Sequence, residues 1–162
     1  MPELRSPRVW LAIAWSTFQL YTAYAGLYDL LIQLPVHVAF AVALGLLADP
    51  TPDSPAAAAA LAARRRRTWL DGTLALLALA CAAHYLAHHE RLKTRMAGVE
   101  APLASDVVVG MLFTLLLLLA AYRHIGGALV GLALAFVAYA FAGPWLPGFL
   151  SHGGNSFLQL VD

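Results

Sequence analysis

Long stretches without a single charged side chain dominate this sequence and decide what it can fold into. The run Val9–Tyr28 contains no Asp, Glu, Lys or Arg, and about 20 helical residues cross a hydrocarbon core of about 30 Å. Over the whole chain 61% of residues are hydrophobic and only 12% are charged, too few charges to cover a water-facing surface. The sequence therefore predicts an integral membrane protein.

Five apolar runs predict an all-α chain with about five transmembrane helices. The runs do not alternate apolar and polar residues, as the strands of a membrane barrel would. The fourth helix is expected to take Ser105 or Asp106 as its N-cap. Gly143, Pro144 and Pro147 are expected to end the fifth helix, because proline removes a backbone donor. The predicted helices span residues 9–28, 30–48, 69–89, 106–123 and 125–146.

Basic residues orient these helices, since cytoplasmic loops carry an excess of Lys and Arg. Arg5 and Arg8 precede the first helix, four arginines at 64–67 follow the second, and Arg123 follows the fourth. A cytoplasmic N-terminus places all seven on the cytoplasmic side and only three basic residues outside. The connecting segments are then a cytoplasmic loop with a short helix at 49–67 and an extracytoplasmic tail at 147–162.

Several function classes lack support in the residues. Ionisable side chains inside the membrane mark ion paths, yet none occupies the middle third of a predicted helix, and Asp71 is expected at an interface. The chain has no Gly-rich phosphate loop, HExxH motif or Ser nucleophile elbow, and a net charge of +1 gives no basic face for nucleic acid. The sequence predicts neither an enzyme nor an ion-coupling site.

Histidines provide the one alternative chemistry. His84 and His88 stand four residues apart near the outer end of the third helix, and His37 lies near the outer end of the second. Imidazoles from two facing helices can ligate haem, so the alternative function is a haem- or quinone-binding electron-transfer subunit. The structural interpretation is a polar helix end that reaches water. No combined Cys/His zinc-site spacing is present, and the single cysteine, Cys81, is interpreted as a small apolar residue.

Two further patterns predict contacts rather than chemistry. Glycines at the start of the fifth helix permit close helix approach, and tryptophans near helix ends anchor a protein at the headgroup level of the bilayer. The glycines are Gly126, Gly127 and Gly131, and the tryptophans are Trp10, Trp69 and Trp145.

One block near the C-terminus is distinctive. It reads Gly143-Pro144-Trp145-Leu146-Pro147-Gly148, followed by His152, Gly154 and Ser156. Weaker signals are His37 with Phe40-Ala41, the arginines leading to Trp69-Leu70-Asp71, Tyr85 before Glu90-Arg91-Leu92, and Pro102 followed by Asp106 and Gly110. On these residues the chain from about 36 to 162 resembles the small membrane subunit of TRAP transporter permeases, most closely the TAXI type.

The resemblance implies a small, non-catalytic scaffold in a bacterial inner membrane. Such a subunit braces a large multi-spanning permease subunit and helps dock an extracytoplasmic TAXI-type substrate-binding protein. Organic acids or amino acids and the coupling sodium would bind the large subunit, so no cofactor is expected in this chain. The fifth helix would correspond to the connector found in fused permeases, and the chain is either a separate subunit or part of a fused one. A third hypothesis is a membrane scaffold without a transport partner.

Overall fold

The computed structural model describes residues 6–26, 29–48, 68–96, 99–157 and 159, and all regular secondary structure in these ranges is helical. This confirms the predicted all-α class. The predicted short helix and the four arginines at 49–67 lie outside the described residues. The helices are α1 (Pro7–Ala25), α2 (Leu30–Leu47), α3 (Thr68–Ala87), α4 (His89–Thr94), α5 (Ala104–His124) and α6 (Gly127–Ala142), followed by 3₁₀ helices at Gly143–Trp145 and Gly148–Leu150.

Four helices in the described part of the chain are long and apolar enough to cross a membrane. They contain 18 to 21 residues, or about 27–32 Å at about 1.5 Å per residue, which matches a hydrocarbon core of about 30 Å. The four segments are Leu30–Leu47, Trp69–Ala87, Ala104–His124 and Gly127–Trp145. The helix α1 forms as predicted but is not among them, because polar residues such as Ser16 and Gln19 lower its hydropathy.

Several helix boundaries differ from the sequence prediction, and α6 runs from Gly127 to Ala142 rather than from 125 to 146. The helix α5 begins at Ala104 with Leu103 as its N-cap and no side-chain cap hydrogen bond, so the expected cap role of Ser105 or Asp106 is wrong. The backbone is still extended at Leu103, which places Asp106 in the first turn, where a carboxylate favours the helix dipole. The third predicted helix stops at Ala87, and a separate short helix, α4, follows it.

The chain divides into two compact units, Met1–Lys93 and Thr94–Asp162. In the first unit α2 packs along α3, and α1 contacts α2. The buried residues of α2 are spaced as one face of a helix, and most of the buried residues of α3 are alanines, which let two backbones approach closely. They are Ala39, Val42, Ala43 and Leu46 on α2, and Asp71, Ala75, Ala78, Cys81 and Ala82 on α3.

Two residues named in the sequence prediction, Cys81 and Asp71, are both buried. Cys81 is 3% exposed and carries a free thiol, which confirms its role as a small buried residue. Asp71 is 7% exposed, and it lies in the first turn of α3, where the helix N-terminus favours a negative charge.

In the second unit α5 and α6 contact each other across the two-residue connection Ile125–Gly126. Gly126 has a φ of 99°, a left-handed conformation that glycine adopts without strain. A Cβ on Gly127 would meet the Tyr122 ring at 3.5 Å, whereas one on Gly131 would meet nothing within 4 Å. The helix α6 has no buried residue. The close helix contact expected at these glycines therefore stays a prediction.

Candidate functional site

His37 joins α2 to α1 through polar and aromatic contacts. The Gln19 side-chain amide donates to His37 Nδ1, and the Trp15 ring meets the His37 ring edge-on with centroids 5.2 Å apart. Thr22, 2% exposed, donates to the Gln19 carbonyl at 3.0 Å. Trp15, Gln19 and Thr22 share one face of α1, because their spacing is four and then three residues.

This arrangement limits the chemistry of His37. With Nδ1 accepting from Gln19, the neutral ring carries its proton on Nε2. Neither nitrogen then offers a lone pair to haem iron, so ligation would require the ring to leave Gln19. The Trp15 indole N–H is buried without a hydrogen-bond partner among the described residues, and such a group costs about 1–3 kcal/mol. An acceptor that reached this indole would therefore stabilise the α1–α2 contact.

His84 and His88 lie together at the C-terminal end of α3, as their spacing predicts. The two ring centroids are 4.4 Å apart, with 34° between the ring planes. His88 Nδ1 lies 3.0 Å from the His84 carbonyl oxygen. Because a carbonyl only accepts, the His88 proton is on Nδ1.

Asp29 connects the start of α2 to α4. Its carboxylate caps α2 by accepting from the Leu31 backbone N–H at 3.1 Å. Its Oδ2 lies 3.2 Å from Lys93 Nζ and 3.3 Å from His89 Nε2. The Leu31 N–H first, and then Lys93 and His89, hold the pKa of Asp29 below its usual value of 3.8 against an opposing effect of desolvation.

The lowered pKa of Asp29 predicts a pH-dependent difference from the Asp29→Asn variant. The carboxylate contributes stability above its unfolded pKa of about 3.9, and this contribution is lost as pH falls through the lower folded pKa. Wild type should therefore melt at a higher temperature than the variant at pH 7 and pH 5. The gap should close below about pH 4, measured by thermal unfolding in detergent. A gap that persists unchanged at pH 2 would contradict this account of Asp29.

The tail folds back onto the end of α6 through a group that we term the C-terminal latch: Tyr139, Gly143, His152 and Gly154. His152 Nε2 lies 3.1 Å from the Tyr139 carbonyl oxygen, and the Gly154 N–H donates to His152 Nδ1 at 3.1 Å. Both ring nitrogens are thus used, and the neutral tautomer with its proton on Nε2 satisfies both bonds. The His152 and Tyr139 rings are also in contact, with centroids 4.7 Å apart.

The latch satisfies carbonyls that a helix end leaves without partners. Besides Tyr139, the carbonyl of Ala140 accepts from the Asn155 N–H at 2.9 Å, and that of Gly143 accepts from the His152 N–H at 3.3 Å. Each such bond replaces one that water would otherwise have to supply. The residues that end α6 therefore also build a defined surface beyond it.

Two latch glycines have no room for a side chain. A Cβ on Gly143 would overlap the His152 ring, and one on Gly154 would lie 2.7 Å from Pro144 Cδ. Gly154 also has a φ of 69°, which disfavours any residue with a Cβ. The block of residues 143–156 thus forms a sterically demanding structure.

The remaining predicted residues are placed as follows. Trp10, Trp69 and Trp145 are all exposed, and Trp145 is 81% exposed; their role as lipid anchors stays a prediction. Pro144 lies within the first 3₁₀ helix, and Pro147 is the N-cap of the second. The sequence does not predict the contacts of Gln19, Asp29 and Lys93, because their partners come from other helices.

The polar contacts described above join helices to one another and to the tail. Within the ranges that the structure describes, no group of three or more His, Cys, Asp or Glu side chains could hold a metal ion. Comparison of the chain with protein-family models, curated proteins and solved structures finds no match.

Proposed function

We propose that this chain is the small, non-catalytic membrane subunit of a TAXI-type TRAP transporter. In this role it braces a large transport subunit in a bacterial inner membrane and helps dock the extracytoplasmic substrate-binding protein. Substrate and coupling sodium belong to the large subunit. All five long helices cross the membrane, with a cytoplasmic N-terminus and an extracytoplasmic tail.

The C-terminal latch is the observation that carries this proposal. The latch is built from the residues of the most distinctive block of the resemblance, and two of its glycines tolerate no side chain. In the proposed topology the latch lies on the extracytoplasmic side, where a binding protein docks. Trp145 and Phe149 project from this region, 81% and 95% exposed, and exposed aromatics suit a membrane or protein contact.

The apolar helix surfaces also support a bracing role. The helix α6 has no buried residue, and its exposed side chains include Leu132, Phe136 and Tyr139. Charged residues of the described spans lie in their terminal turns, as with Asp106 and Arg123 of α5. A chain with apolar faces and without central charge suits a stationary scaffold better than an ion-coupling unit.

Co-purification tests the proposal directly. The chain carries a tag, is extracted from its native membrane in mild detergent, and its partners are identified by mass. A large multi-spanning permease in stoichiometric amount is expected. Recovery of the chain alone, or with a Soret-absorbing cofactor, would overturn the proposal in favour of the scaffold or haem hypothesis.

Transport by the co-purified complex tests the bracing role. The large subunit reconstituted without this chain should lose binding-protein-dependent uptake. An unchanged rate would contradict a bracing role even if the two chains co-purify. In the same assay, Gly153→Ala is the folded control for substitutions of the latch glycines Gly143 and Gly154. A Cβ at Gly153 meets nothing within 4 Å.

A further inference from the structure

We propose that His84 and His88 form a binding site for a divalent transition-metal ion of the zinc or copper type. This inference is independent of the proposed transport function. It rests on the ring geometry of the pair and on the proton position of His88.

The two imidazoles are already side by side. They lie four residues apart at the end of α3, with ring centroids 4.4 Å apart. Two imidazole nitrogens on one tetrahedral zinc ion, each at about 2.0–2.1 Å, lie about 3.3 Å from each other. Small rotations of the two rings bring one nitrogen of each to that separation, because histidines at i and i+4 share a helix face.

The proton on His88 is placed as in a metal-ligating histidine. Its Nδ1–H donates to the His84 carbonyl oxygen at 3.0 Å, which leaves the Nε2 lone pair as the ligand. Histidines that bind metals commonly donate their other ring N–H to a backbone carbonyl or carboxylate, and this bond orients the ring and raises its basicity. His88 is exposed and lies one residue beyond the candidate span Trp69–Ala87.

Three other histidines make contacts with other groups. Both nitrogens of His152 are used by the latch, and His37 Nδ1 accepts from Gln19. His89 lies between two carboxylates: its Nε2 is 3.3 Å from Asp29 Oδ2, and its Nδ1 is 3.5 Å from Glu90 Oε1. The pair His84 and His88 is thus the stacked imidazole pair that the described structure offers.

The chemistry of two imidazole ligands defines the ion. Imidazole suits Zn²⁺, Cu²⁺ and Ni²⁺, whereas Mg²⁺ prefers carboxylate and water. The described residues provide no group of three or more metal-binding side chains, so water completes the coordination. The site is therefore an exchangeable one rather than a structural zinc centre.

Isothermal titration of the full chain with Zn²⁺ tests the site. The protein is purified in detergent through a tag without histidine and kept free of chelators. Wild type should bind one Zn²⁺ per chain, and His84→Gln and His88→Gln should each weaken binding about tenfold or more, since even losing a ligand's hydrogen-bond partner costs that much. His124→Gln is the control and should bind as wild type does, and Mg²⁺ should not bind.

Each other outcome overturns the proposal. These outcomes are absence of saturable Zn²⁺ binding by wild type, unchanged binding in both His84 and His88 variants, or an equal loss in His124→Gln. Helical circular dichroism and a single gel-filtration peak verify that the variants fold. If a variant does not fold, electron paramagnetic resonance of Cu²⁺ on wild type decides, since two coordinated imidazole nitrogens are expected and none would refute the site.

Discussion

Replacing Gly143 by alanine is expected to detach the C-terminal tail from α6. The added Cβ would overlap the His152 ring, lying 2.6 Å from its Nε2. The ring cannot withdraw without breaking its bonds to the Tyr139 carbonyl and the Gly154 N–H. Overpacking of this kind costs about 1–3 kcal/mol, and each lost hydrogen bond adds about 0.5–1.5 kcal/mol. Limited proteolysis in detergent should cleave the tail of the variant much faster than that of wild type.

Two matched glycines make this result specific to the latch. Gly153→Ala should behave as wild type, because a Cβ there meets no atom within 4 Å. Gly154→Ala should behave as Gly143→Ala does, because its Cβ would lie 2.7 Å from Pro144 Cδ at a φ of 69°. In a His152→Ala background the Gly143 substitution should add little, since the overlapping ring is gone. Equal cleavage of Gly143→Ala and Gly153→Ala would refute the latch.

Enlarging Ala78 to leucine is expected to separate α2 from α3. Ala78 is 0% exposed and faces a contact whose buried residues on both helices are mostly small. Three extra carbons force the backbones apart or the side chains from their rotamers, at a cost of about 1–3 kcal/mol. Little hydrophobic gain compensates, because lipid is as apolar as the helix interface. Thermal unfolding in detergent should show a clearly lower midpoint.

A neighbouring alanine provides the comparison for this change. Ala83 also lies on α3 but is exposed, so Ala83→Leu should leave the unfolding midpoint within the experimental error of wild type. The same volume is added at both positions, and only the helix face differs. Equal midpoints for the two variants would show that α2 and α3 do not pack through Ala78.

Most of the helical framework could be predicted from the sequence, because apolar runs in a membrane have few alternatives to a helix. The last helix ends at Ala142 rather than at the predicted residue 146, because Gly143 and Pro144 interrupt it locally. The start of α5 was misplaced because a capping residue was expected where the chain uses Leu103 without a side-chain cap. The short helix α4 is not predicted, because its six residues, five of them polar, carry no apolar period.

The contacts of the candidate site depend on tertiary packing and were harder to predict. The spacing of His84 and His88 predicts their proximity, because both belong to one helix. The contact of His37 with Gln19 joins two helices, and nothing local in the sequence pairs them. His152 was noticed only as part of a family resemblance, since its partners Tyr139 and Gly154 become neighbours only when the tail turns back.

Because Cys81 is buried, the natural chain is suited to cysteine labelling that shows which side of the membrane a segment faces. The sequence contains one cysteine, and this residue is 3% exposed on α3. A maleimide reagent that cannot pass the bilayer therefore meets almost no intrinsic reactivity. A cysteine introduced at Phe149, which is 95% exposed, reports by its labelling in intact cells which aqueous compartment receives the tail.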